Sequence, residues 1–247
     1  MKFKTLILLS ACAYVACAGD LFFAGDSTLH PRRHQKTAKP EVQVFGSWGD
    51  EVEDYLKPGV KIVNHAQSGA STLSFINSKR WERLVAQLKP GDWVVIEFGH
   101  NDQKIGKEGF YTAADGAFRD NLRRFAKEVR AKGAEPLFAS PIVRRVLGKD
   151  GHLVDDAPKG GFHLNDYGAA SRAVAEEVEA PFVDMNKLTH DAVEAAGPEK
   201  SLLWYRAGVV KNSGDFSHPV VAGARLYAKL FVDDVKSRGL KIAELLK

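Results

Sequence analysis

Residues 21–28 read Leu21-Phe22-Phe23-Ala24-Gly25-Asp26-Ser27-Thr28, an apolar run that stops at a glycine and ends on an acid and two hydroxyls. Four consecutive apolar residues leave no face for water, so the run reads as a strand buried on both sides. Such strands belong to parallel sheets covered by helices, which bind ligands beyond the carboxyl ends of their strands. Ser27 therefore stands where a nucleophile is expected, although turn and capping serines fill such positions more often.

Outward from this stretch the same pattern repeats. Val60–Asn64, Trp93–Phe98, Glu135–Pro141 and Pro181–Met185 are four further apolar strand candidates. Helical spacing appears between them: after Gly46-Ser47-Trp48-Gly49 with Val52, Tyr55 and Leu56, in Arg80–Leu88, in Phe118–Val129, in Tyr167–Val178 and in Lys187–Ala196. A last long helix carries Val220, Ala224, Tyr227, Phe231 and Val235 on one face, with Pro219 suited to its first turn. His30–Pro40 and Gln103–Tyr111 read as loops, as does His65–Thr72, and Arg144–Gly161 reads as an exposed loop or hairpin. Strands alternating with helices predict one α/β domain, a three-layer sandwich around a mostly parallel five-stranded sheet.

The 247 residues suffice for one domain with a sizeable core, and a net charge of +4 with no basic block argues against nucleic acid as a partner. Residues 1–18 read as a secretory signal, with Lys2 and Lys4, an apolar centre and Ala16-Cys17-Ala18 at the cleavage positions, leaving a single domain over 19–247. The apolar run is too short for a membrane span. Leu9-Ser10-Ala11-Cys12 also resembles a bacterial lipoprotein processing site, so a lipid anchor at Cys12 stands as the second reading. Cleavage after Ala18 removes both cysteines, and export without disulfides suits a bacterial secreted or periplasmic enzyme.

Ester hydrolysis by a serine needs a hydroxyl, a base, a group that orients the base and donors for the oxyanion. Asp215-Phe216-Ser217-His218 offers the base and its orienter within one turn. Asn101 follows the Trp93–Phe98 strand through a glycine, and Gly69 lies in the loop after Val60–Asn64. Each alone is matched by an ordinary capping or turn role. Together they fall at strand ends or just before the last long helix, where one sheet edge can gather them. No phosphate-binding loop, dinucleotide fingerprint, zincin motif or Gly-x-Ser-x-Gly elbow is present, so neither a cofactor nor a metal is expected. His30 and His34 have the spacing of a helical metal pair, but Pro31 and the lack of a third ligand favour a solvated loop.

Gly25-Asp26-Ser27, Asn64 with Gly69, Gly99-His100-Asn101-Asp102 and Asp215-Phe216-Ser217-His218 resemble the four ordered blocks of the SGNH, or GDSL-type, hydrolases. Within that superfamily, Gly25-Asp26-Ser27-Thr28, Gly46-Ser47-Trp48-Gly49-Asp50, Asn64-His65-Ala66, Ser68-Gly69-Ala70-Ser71 and Phe98–Gln103 are similar to rhamnogalacturonan acetylesterases. The resemblance implies a flavodoxin-like three-layer fold, with Ser27 as nucleophile, His218 as base and Asp215 as its orienter. It also implies an oxyanion hole of Ser27 N–H, Gly69 N–H and the Asn101 amide, and an acetyl ester on a pectic polysaccharide as substrate. The Gln67-Ser68-Gly69-Ala70 stretch lacks the arginine of the family's Gly-Arg-Ser wording, which leaves the polysaccharide open.

Trp48, His65 and Phe75 lie near the blocks and are candidates for a sugar platform, with the core as the alternative for Trp48 and Phe75. Arg32, Arg33 and Lys36 sit in a loop read as solvated, with an acidic polymer as the alternative. The expectation is a monomeric carbohydrate O-acetylesterase. A lipase or thioesterase of the same superfamily, and a catalytically silent glycan-binding protein, are the competing readings.

Overall fold

The computed structural model describes residues 19–33, 45–154 and 164–247. The expected leader at 1–18 with Cys12, His34, Lys36 and parts of loops 30–40 and 144–161 lie outside the described residues.

Five strands form one sheet: β1 (Leu21–Gly25), β2 (Ile62–Asn64), β3 (Trp93–Glu97), β4 (Glu135–Ala139) and β5 (Phe182–Val183). Their order is β2-β1-β3-β4-β5 and every pairing is parallel. Strand alternation sorts their side chains between two cores. Leu21, Phe23, Trp93, Val95, Leu137 and Ala139 join one; Phe22, Ala24, Val94, Ile96 and Phe138 join the other. α1 (Trp48–Glu51), α6 (Met185–Leu202) and α8 (Val221–Ser237) cover the first face. α2 (Thr72–Asn77), α3 (Arg80–Val85), α4 (Ala117–Arg130) and α5 (Leu164–Glu177) cover the second, so the fold is a three-layer α/β/α sandwich. Strand order reverses across β1, between β2 on one side and β3 on the other. That reversal opens a crevice at the carboxyl ends of β1 and β3, the switch point where such sheets bind ligands.

Several boundaries differ from the sequence-based expectation. The helix expected after Gly46 is one turn, α1, whose Asp50 N–H is capped by the Ser47 hydroxyl, followed by a 3-10 turn over Val52–Tyr55. Leu56 is then extended and bridges Leu246. Thr72, expected in a loop, begins α2, because Ser71 and Ser74 cap each other's backbone N–H groups. α6 runs past Ala196 as two helical runs joined at Gly197 (φ +73°), with Pro198 opening the second. Pro219 does not open α8; it pairs with Tyr205 across an antiparallel bridge, and α8 begins at Val221. The start of the Arg144–Gly161 segment is packed rather than exposed: Arg145 is buried with its Nε on Ser201 Oγ at 2.9 Å. Leu147 and Leu153 close a turn through an antiparallel bridge.

Candidate active site

Ser27 opens the tight turn that follows β1 and is 8% exposed at the crevice. The turn is tied from below. Asp26 Oδ1 accepts the Thr28 N–H at 3.0 Å and stands 3.1 Å from the Thr28 hydroxyl. The same hydroxyl lies 3.2 and 3.1 Å from the two oxygens of Glu97, the last residue of β3. Glu97 also accepts the Trp48 indole N–H at 2.9 Å and the Ile142 N–H at 3.1 Å. One hydroxyl proton cannot serve two carboxylates, so one of the pair is protonated. Burial, and next the Asp26 charge, push Glu97 up to about 8; burial raises Asp26 as well. Protonated Glu97 donates to Thr28, and Thr28 donates to Asp26, which fixes the turn that displays Ser27.

His218 and Asp215 come from the segment between α7 (Arg206–Val209) and α8. The Tyr205–Pro219 bridge, Arg206 N–H to His218 O at 3.2 Å and Ala207 N–H to Asp215 O at 3.0 Å fold this segment back onto α7. Asp215 Oδ1 accepts the Ser217 and His218 N–H groups, both at 3.1 Å. His218 Nδ1 lies 2.9 Å from Asp215 Oδ2, and its Nε2 lies 2.8 Å from Ser27 Oγ. A proton on Nδ1, held by the carboxylate, leaves Nε2 to accept from the serine hydroxyl. Burial alone would raise Asp215, but the His218 side-chain and backbone contacts outweigh it and bring the carboxyl down to about 2. The acid therefore stays ionised at neutral pH and holds the imidazole by its Nδ1–H.

The third side of the crevice is built by the loops after β2 and β3. Gly99 turns the chain at φ +140°, where a Cβ would stand 3.0 Å from Pro141 and Tyr167, so this turn needs a glycine. Beyond it Asn101 is buried; its Nδ2 donates to Ala70 O at 2.9 Å and its Oδ1 accepts from Lys104 Nζ at 2.5 Å. One amide hydrogen thus anchors the Gly69–Ala70 turn and the other is left for the crevice. Gly69 (φ +77°) sits in the turn closed by Ala70 N–H to Gln67 O at 3.0 Å. Among the described residues, neither the Ser27 nor the Gly69 N–H has an acceptor. Asp102 holds α2 to this loop by accepting the Thr72 N–H at 2.9 Å and the Thr112 hydroxyl at 2.8 Å.

The structure thus brings together Ser27, Asp215 and His218, with Asn101 and the Gly69 turn joined beside them. It does not bring the expected sugar platform. Trp48 is fully buried beneath β1, edge-on to Phe23 and bonded to Glu97, so its indole supports the serine turn. His65 stacks on Phe22 and lies 3.2 Å from Gln87, on the face covered by α3. Phe75 is fully buried against Phe98. Sequence reasoning missed Arg144 and Phe45. Arg144 donates to Ser217 Oγ at 2.8 Å and to His100 O at 3.3 Å, tying the His218 segment to the loop after β3. The Phe45 ring meets the His218 ring edge-on at 5.7 Å. Glu97 carried a readable signal: an acid closing an otherwise apolar strand needs buried partners.

A cleft of about 470 Å³ lies along the Asn101 loop, lined by Gln103, Ile105, Tyr111, Asp115, Arg119, Asp166 and Tyr167 among others. Among the described residues no group of three or more His, Cys, Asp or Glu side chains is placed to hold a metal ion. Among them, too, no helix is long and apolar enough to cross a membrane.

Both the sequence and the fold match known proteins. The model of the GDSL-like lipase/acylhydrolase family matches residues 23–226. Rhamnogalacturonan acetylesterase RhgT of Bacillus subtilis is 31% identical over 234 residues, covering 92% of this chain and 94% of that protein. The crystal structure of YxiM from Bacillus subtilis superposes with a TM-score of 0.72 at 25% identity over 91% of this chain; the chain spans 58% of that longer protein. An Axe2 mutant from Geobacillus stearothermophilus, an acetyl-xylooligosaccharide esterase, shares the fold with a TM-score of 0.62 at 22% identity, over 88% of this chain and 95% of that one.

Proposed function

The chain belongs to the GDSL-like lipase/acylhydrolase family, and from that premise we propose that it is a serine-dependent carbohydrate O-acetylesterase acting on acetylated plant cell-wall polysaccharide, rhamnogalacturonan first. The observation that carries the proposal is the continuous path from Asp215 through His218 to Ser27 Oγ at 2.9 and 2.8 Å, at the switch point of the sheet. Such a path has no use in a protein that only binds glycans.

Ser27 Oγ attacks the acetyl carbonyl while His218 Nε2 takes its proton. The carbonyl oxygen gains charge and is met by the Ser27 N–H, the Gly69 N–H and the free hydrogen of the Asn101 amide. His218 returns the proton to the departing sugar oxygen, leaving acetyl on Ser27. Water, deprotonated by His218, then releases acetate and restores the serine.

The substrate reading rests on the full-length likeness to RhgT, named for rhamnogalacturonan. The cleft that begins at Gln103, two residues past Asn101, mixes exposed Ile105 and Tyr111 with Asp115, Arg119 and Asp166, and the three charged groups support a sugar chain over a long alkyl chain. With the leader expected at residues 1–18, the enzyme acts as a monomer outside the cytoplasm, where polymeric glycan is met. The test is acetate release from acetylated rhamnogalacturonan, homogalacturonan and xylan, with butyryl and octanoyl esters alongside. Ser27-dependent release from rhamnogalacturonan supports the proposal; turnover confined to the longer acyl esters overturns it in favour of a lipase.

A further inference from the structure

Most arginines near the site are matched within the protein. Arg33 reaches Asp54 at 2.6 Å, Arg225 reaches Glu51 at 3.2 Å, and Arg144 is bound to Ser217 and to His100 O. Arg32 and Arg206 differ. Their guanidinium carbons lie 4.5 and 4.4 Å from the centroid of one ring, Phe45, which is itself edge-on to His218. Among the described residues the Arg32 side chain has no hydrogen-bond partner, and its Nε and that of Arg206 are both buried without an acceptor. The carboxylate nearest Arg206 is Asp215, at 4.0 Å, and that oxygen is already taken by His218 Nδ1 at 2.9 Å. Burial holds the Arg32 guanidinium below its ordinary value; the Asp50 carboxylate opposes this, but its oxygens are held by the Arg32 and Arg33 backbone N–H groups and by Asn64, and the charge of Arg206 adds to the lowering. Two cations whose neighbouring carboxylates, Asp50 and Asp215, are already bound to other groups are a costly arrangement unless a ligand completes it.

The mechanism says where that ligand lies. His218 hands its proton to the departing sugar oxygen, so the leaving glycan rests against His218, whose ring Phe45 meets edge-on with the two arginines over it. A guanidinium held over an aromatic ring keeps its terminal Nη hydrogens for an anion, and a carboxylate accepts from them. We propose that Arg32 and Arg206, mounted on Phe45, form a carboxylate-binding subsite beside His218 that engages a uronate of the glycan carrying the acetyl group. The inference rests on the acetylesterase reading above and sharpens it: the subsite selects acidic over neutral chains.

The test compares kcat/KM for an acetylated rhamnogalacturonan oligosaccharide with that for the same oligosaccharide after methyl esterification of its uronates. Wild type prefers the acidic form; Arg32→Gln and Arg206→Gln each lower the preference by about tenfold or more, through KM, as loss of one charge-assisted contact does. Lysine at either position keeps the charge and restores part of the preference. Calorimetry with Ser27→Ala protein reads the subsite without turnover: trigalacturonate binds, its methyl ester binds more weakly, and the glutamine substitutions abolish the difference. Equal rates on the two oligosaccharides in wild type, or trigalacturonate binding indifferent to both arginines, overturn the subsite while acetate release leaves the esterase standing. Arginine-dependent binding with no acetate released from any ester sinks the esterase and leaves the subsite.

Discussion

Beneath Ser27 the protein holds an acid in its protonated form; beside it, the protein holds another ionised. Glu97 is enclosed by the sheet, Trp48, Thr28 and Ile142 N–H, and its desolvation is answered by a retained proton. Asp215 sits in a half-buried loop, where contacts with His218 and backbone N–H groups stabilise its charge. The lower region fixes the position of the nucleophile and belongs to the core. The lateral region supplies charge and is fastened mainly by the short turns around α7. Substitutions should therefore separate into those that stop chemistry in a folded protein and those that weaken the fold under an intact triad.

The largest effect is expected from Ser27→Ala, with acetate release down about 10⁶-fold and thermal melting little changed. A large loss of melting temperature would break the division, because it would make the serine part of the structural network. Asp215→Asn should cost about 10⁴-fold in kcat by leaving the imidazole in the wrong tautomer, with only the modest loss of stability that goes with giving up its lowered carboxyl. Asn101→Ala should lower kcat by about 10²–10³-fold, and its effect on KM reports how far the Gly69 turn depends on the bond to Ala70 O.

On the lower side, Trp48→Phe removes the indole N–H from Glu97 and should cost about 1–3 kcal/mol in urea unfolding. The smallest effect is a slope. The folded protein keeps the Glu97 proton up to about 8 whereas the unfolded chain releases it near 4.5, so the unfolded state binds fewer protons over that window. Stability is thus greatest below pH 4.5 on this group's account and falls as pH rises towards 8. Asp215 acts oppositely and lower down: its contribution is present above 3.8 and is lost as pH falls through about 2. Glu97→Gln sharpens the point. An amide nitrogen cannot accept from Trp48 or from Ile142 N–H, so melting falls overall while its dependence on pH between 4.5 and 8 flattens.

Local sequence carried the strands and the order of the blocks, because unbroken apolar runs ending in glycine mean the same thing in any parallel sheet. It carried Ser27, Asn101, Asp215 and His218, since each lies a fixed few residues from an element end. It did not carry what faces the site from a distance. Phe45 and Arg206 are 161 positions apart and meet over one ring only when Pro219 pairs with Tyr205. Trp48 was ambiguous for a physical reason: an indole suits a sugar face and a buried acceptor equally well, and only the acid at the end of β3 decides between them. His65 was misplaced because a residue just past an edge strand can turn to either layer, and its stacking on Phe22 chose the α3 side. The extra length of α6 was hidden by Gly197-Pro198, which ends one helical run and begins the next.

Asp20 and Lys247 bear on how the molecule can be attached to a surface. Asp20 N–H is bound to Asp92 Oδ1, and Lys247 N–H to Tyr55 O, so both are fastened at the amino ends of the strands. Ser27 opens at the carboxyl ends. A tether joined at residue 20 or at residue 247 therefore holds the molecule by its floor and turns the crevice towards the surroundings. Immobilised through residue 20 or residue 247 on a bead, the enzyme leaves its crevice open to solution; attached through the Phe45 side, it is blinded.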